Sequence, residues 1–148
     1  MNTGLTPEQI RHFHEDGFLI VRDLLAPEAV QPLIDELEQK VEEAVVEAVE
    51  QDWLDPAENF ADASFATRLP LVSTACSNDD WLWRQVQGKH HKTAGMFTLR
   101  TWPSLLDAAE SLIGPEILAH PQTVLRAKLP DQEKTVVPWH QDLAYLIP

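Results

Sequence analysis

Helix-type periodicity fills most of this chain and strand-type alternation is confined to its last stretch, and that order limits the fold more than any other feature. Segregated helices and strands point to an α+β arrangement rather than to alternating βαβ units. The opening helix is well signalled. Thr6 can cap, Pro7 suits the first helical position, Gln9 completes a Thr-x-x-Gln capping box, and Gly17 supplies a left-handed stop after the apolar Ile10 and Phe13. The run Phe18-Leu19-Ile20-Val21 then reads as a buried strand. A second helix is predicted from near Pro27 towards Gln51, with Val30, Leu33, Ile34, Leu37, Val41, Val45 and Val49 at helical spacing. Pro32 lies close enough to its start to kink it rather than abolish it.

From Trp53 to Lys92 the pattern weakens. Asp55-Pro56 and Leu69-Pro70 punctuate it, and Asn78 heads a short predicted helix through Trp81, Trp83 and Val86. Periodicity returns at Leu105, Leu106, Ala109, Leu112 and Ile113, between Pro103 and the stop Gly114-Pro115. Glu116 to Leu129 alternates as a strand or two, broken at Pro121. A polar loop from Asp131 to Lys134 leads to Val136-Val137-Pro138-Trp139-His140-Gln141-Asp142-Leu143-Ala144-Tyr145. The expectation is a single domain over 1–148, helical over about 1–114 and strand-forming over about 115–148.

The net charge of −13 is concentrated, with eleven acids but only one base (Lys40) between Asp35 and Asp62. Such a run is usually the solvated face of a helix. An acidic balance argues against nucleic acid and anionic lipid as partners. Met1 to Leu5 shows neither the basic nor the apolar region of a secretory signal, and no apolar run reaches the ~18–20 residues of a bilayer crossing. Cys76, the single cysteine, has no internal disulfide partner and no adjacent base, and reads as an inert thiol. The expected location is the cytoplasm.

His140-Gln141-Asp142 is an H-x-D motif. On a strand, side chains repeat every two residues, so His140 and Asp142 would project from one face. One imidazole and one carboxylate so placed supply two of three ligands of a 2-His-1-carboxylate triad, which holds Fe(II) and leaves coordination positions open. His14-Glu15-Asp16 has the same pattern but sits at a predicted helix end, where residues two apart point about 200° from each other and cannot share a metal.

Three blocks in order give the motif its context. Leu5-Thr6-Pro7-Glu8-Gln9-Ile10 with Phe13, Asp16-Gly17-Phe18-Leu19-Ile20-Val21 and Leu24-Leu25 resembles the start of the phytanoyl-CoA dioxygenase family. So does Leu112-Ile113-Gly114-Pro115-Glu116-Ile117 followed by Lys128-Leu129-Pro130. Val137-Pro138-Trp139-His140-Gln141-Asp142 with Tyr145 is similar to that family's metal-binding segment. The resemblance implies N-terminal helices followed by the first strands of a double-stranded β-helix, a jelly-roll relative of the cupins. It also implies a dioxygenase using Fe(II) and the cosubstrate 2-oxoglutarate, which is decarboxylated to succinate while molecular oxygen hydroxylates a small organic substrate. His140 and Asp142 become iron ligands on this resemblance, and Gln122 and Lys128 correspond to family positions near 2-oxoglutarate. For both, an exposed strand residue is the plain alternative. Trp139 and Tyr145 flank the ligands and either shape the pocket or pack in the core. A retained Asp142 favours hydroxylation, since halogenating relatives carry a small residue there.

The family pattern also includes a histidine and an arginine well downstream of H-x-D, whereas the sequence runs only to Pro148. The expectation is an incomplete β-helix, from a fragment of a longer dioxygenase that should bind iron weakly and not turn over alone. Nothing in the spacing of His12, His14, His90, His91 or His120 recommends any of them as third ligand. Lys89-His90-His91-Lys92 is the one basic cluster and reads as a solvated loop or as a greeting for an anionic substrate. Two other functional classes stay open: a non-catalytic interaction scaffold that keeps the family's N-terminal half, and a cupin-like metal-binding protein that works without 2-oxoglutarate. Oligomeric state has no signature in the sequence.

Overall fold

The computed structural model describes residues 4–89, 92–120, 124–130, 133 and 136–140. Helix α1 (Pro7–Asp16) forms on its predicted caps. Thr6 Oγ1 accepts the Gln9 amide at 3.2 Å, Gln9 Oε1 accepts the Thr6 amide at 2.8 Å, and Gly17 closes the helix at φ 78°. Two orphan amides and the C-terminal turn are thereby satisfied by local chemistry alone.

The predicted strand over Phe18–Val21 does not form. These residues run in irregular backbone, and Phe18 and Ile20 are 59% and 72% exposed. Strand propensity reflects how well a side chain fits a half-buried pleated surface, and no neighbouring strand pairs with this segment among the described residues.

Helix α2 (Pro27–Glu50) is the spine of the structure, 24 residues long and continuous through Pro32. It buries Leu37, Val41 and Val45 as their spacing predicts, together with Ala29, Ala44 and Ala48, whose small side chains let neighbouring helices come close. Ten of the eleven acids between Asp35 and Asp62 are exposed; the partly buried exception is Glu36. The helix ends in a Schellman-type turn. The Trp53 amide donates to Ala48 O at 2.9 Å and the Asp52 amide to Val49 O at 3.1 Å, with Asp52 in the left-handed region at φ 58°.

A single 3-10 turn (Pro56–Glu58), headed by the Asp55 carboxylate on the Ala57 amide, leads to α3 (Phe65–Ala75) and α4 (Asp79–Val86). The Arg68 guanidinium, on a mostly buried side chain, pairs with Glu42 and donates to Asn59 O, tying this loop to α2. Strand β1 (Gly88–Lys89) precedes α5 (Ala94–Arg100) and α6 (Pro103–Ile113). It pairs antiparallel with β2 (Val124–Leu125), Gly88 opposite Leu125 and Lys89 opposite Val124. The predicted helices at Asn78–Val86 and Pro103–Ile113 are present, whereas α3 and α5 went unforeseen. The start of the predicted basic loop is held in backbone pairing at Lys89.

One core unites these pieces. Val41, Ala44, Val45 and Ala48 of α2 meet Leu54, Leu69, Val72, Cys76, Leu82, Val86 and Leu129, with Trp53, Trp81 and Trp83 packed around them. Trp53 and Trp81 meet edge to face with centroids 5.0 Å apart, a preferred aromatic geometry. Leu82 and Val72 are the largest fully buried side chains. Burial of each contributes roughly 1.5–3 kcal/mol. Cys76 is buried within this cluster, which agrees with an inert thiol.

Candidate functional site

The segment leading to the H-x-D motif is seated on the helices rather than on a broad sheet. Leu129 is 7% exposed and belongs to the core, so it anchors the chain beside Lys128 and Pro130. The Trp83 indole Nε1–H donates to Ala127 O at 3.0 Å, and Arg100 Nη2 donates to His120 O at 2.6 Å. Together with the β1–β2 pairing, these contacts hold His120 and residues 124–129 against α4 and α5. None of them has a signature in local sequence pattern, because each joins positions at least 20 residues apart.

Lys128 is exposed on this segment. Trp139 is fully exposed and is not part of the core formed by the described residues. Residues 136–140 run in irregular backbone with a bend at Trp139, in place of the strand expected there. Pro138 has no amide to give to a β-ladder, which accounts for the break. His140 is exposed and its Nδ1 lies 2.8 Å from the carbonyl oxygen of Pro138. Contacts of this kind between one ring nitrogen and a main-chain carbonyl orient metal-ligating imidazoles. Sequence reasoning singled out His140 but not the Pro138 carbonyl, although proline two positions before it was in plain view.

Gln122, Asp142 and Tyr145 lie outside the described residues, as do His90 and His91. Among the described residues, no three His, Cys, Asp or Glu side chains come together in a way that would hold a metal ion. The alternative H-x-D near the N-terminus behaves as helix geometry demands. Asp16 pairs with His12, one turn away on the same face, and not with His14. His120 contributes its carbonyl oxygen to Arg100. The chemistry of the donor set fits a ferrous ion: an oriented imidazole at His140 and, two residues on, the carboxylate of Asp142 are the ligand types such an ion takes in oxygenases.

No helix among the described residues is long and apolar enough to cross a membrane. No curated protein and no solved structure matches the chain. The family model for phytanoyl-CoA dioxygenase (PhyH), in contrast, matches residues 13–147, which takes in the end of α1, all the later helices and the whole H-x-D segment. That family's general chemistry is Fe(II)- and 2-oxoglutarate-dependent oxygenation with a small-molecule substrate and molecular oxygen. With a match that extends over nearly its entire length, the chain belongs to the phytanoyl-CoA dioxygenase family.

Proposed function

We propose that this protein hydroxylates a small organic substrate, with His140 and Asp142 as iron ligands in a cupin-like double-stranded β-helix. The observation that carries this reading is the His140 imidazole, held by a main-chain carbonyl within a segment that the family match covers. When bound, Fe(II) and 2-oxoglutarate supply oxygen activation coupled to loss of carbon dioxide and formation of succinate. The chain's own part is to bind and orient. His140 and Asp142 would hold the ion through one ring nitrogen and one carboxylate oxygen. Lys128 offers an exposed ammonium to a carboxylate of 2-oxoglutarate, and Gln122 a side-chain amide to the same molecule. Trp139 and Tyr145, close to the ligands in sequence, would offer aromatic surface to a substrate's apolar part.

Anaerobic addition of Fe(II) and 2-oxoglutarate to a full-length version of the protein tests this directly. A visible metal-to-ligand charge-transfer band should appear, and Fe(II)-dependent succinate should follow once oxygen is admitted. His140→Ala and Asp142→Ala should abolish both while the circular dichroism of the helices is unchanged. Succinate formation that survives His140→Ala overturns the ligand assignment. Metal binding with no response to 2-oxoglutarate moves the protein to a cupin-like metal carrier instead.

A further inference from the structure

We infer that the Pro138 carbonyl is a positioning group which keeps the His140 ring in the tautomer protonated at Nδ1, so that Nε2 carries the lone pair offered to metal. Its role with metal rests on the proposed iron site, whereas the tautomer itself is measurable without any metal. The argument is one of donor and acceptor. A carbonyl oxygen only accepts, and at 2.8 Å from Nδ1 it requires that nitrogen to bear the proton. A neutral imidazole has one N–H, so the acceptor lone pair then resides on Nε2. An exposed imidazole in water prefers the opposite tautomer, with the proton on Nε2, and His140 is exposed. The local bond therefore favours the tautomer opposite to the one an imidazole prefers in water.

Position in the chain makes this bond cheap to form. The acceptor lies two residues before the ring, so few torsions separate them. Holding the ring in one orientation before metal arrives reduces the freedom lost on coordination, as outer contacts to ligating histidines generally do.

The experiment is a long-range proton–nitrogen correlation spectrum of the chain labelled with ¹⁵N in its histidine rings, recorded at alkaline pH where imidazoles are neutral. Six ring patterns are expected, and the one lost in His140→Ala belongs to His140. That pattern should show a protonated Nδ1 and a bare Nε2. A His140 ring found mainly as the Nε2–H tautomer overturns the inference. Addition of Zn(II), a diamagnetic probe, should then shift Nε2 while Nδ1 keeps its proton, and the shift should weaken in Asp142→Ala. A response centred on Nδ1 overturns the assignment of Nε2 as donor. An Nδ1–H ring that ignores Zn(II) supports the role of Pro138 in setting the tautomer and overturns the iron-ligand reading of His140, so the two failures are told apart.

Discussion

Glu36 of α2 accepts the main-chain amide of Gly95 at 2.7 Å through its Oε1, across a close approach of α2 and α5. A β-carbon built on Gly95 would lie 2.6 Å from the Leu33 nitrogen and 2.7 Å from the Leu33 α-carbon. Both atoms are helix backbone and cannot swing aside. Gly95→Ala should therefore force α5 away from α2 and destabilise the protein by about 1–3 kcal/mol, the range for overpacking. A lowered urea midpoint with an unchanged slope would show it; an unchanged midpoint would mean the two helices are not in contact at this point.

The carboxylate on the other side of that contact has its own test. Glu36→Ala removes the acceptor of a part-buried amide and should cost roughly 1–3 kcal/mol, because a buried donor left unmet carries its full desolvation penalty. Glu36→Gln keeps an acceptor oxygen and should cost clearly less. Equal losses for the two variants would show that charge, not hydrogen bonding, is what α5 requires.

Asp52 offers a change in the opposite direction. It occupies the left-handed position of the turn that ends α2, where glycine has no β-carbon to clash. An L-residue there gives up about 1–2 kcal/mol, and glycine returns roughly 0.5–1 kcal/mol of that through its greater unfolded-state freedom. Asp52→Gly should stabilise the protein by about 0.5 kcal/mol, read as a rise in thermal midpoint.

The bond from the Trp83 indole to Ala127 O predicts how the H-x-D segment is held. Trp83→Phe retains most of the packing but leaves that carbonyl without its donor, at a cost of about 1 kcal/mol. Amide exchange should quicken over residues 124–130 while α1 and α6 keep their protection. Uniform acceleration across the chain would instead point to a global loss of stability.

Elements whose signals are local were legible from residue order alone. The capping box of Thr6 and Gln9, the left-handed Gly17, the spacing of Leu37, Val41 and Val45, and the Pro103 to Gly114 frame of α6 each act within a turn or two. Helix α3 escaped notice because Pro70 lies inside it and its apolar positions are not confined to one face. Helix α5 has only seven residues and depends on the Thr93 cap and on its fit to Leu33 and Glu36, the latter 59 residues from Gly95 in sequence. The same limit explains Phe18–Val21. Its composition suits a strand, but pairing is decided by distant neighbours that the run itself does not reveal. At the candidate site, His140 was recognisable by residue type and motif, while the acceptor that orients it is a main-chain atom and so has no letter of its own.

The two hydrogen bonds that join His120 and Ala127 to the helices, from Arg100 and from Trp83, both end on main-chain oxygens. The joint is therefore asymmetric in what it demands of each side. On the helices the indole and the guanidinium must be retained, whereas at 120 and 127 the bonds themselves ask only for a backbone oxygen in place. Exposed side chains on that segment, Lys128 among them, can drift from one relative to the next, and with them the charge offered to a substrate, while Leu129 keeps its place in the core.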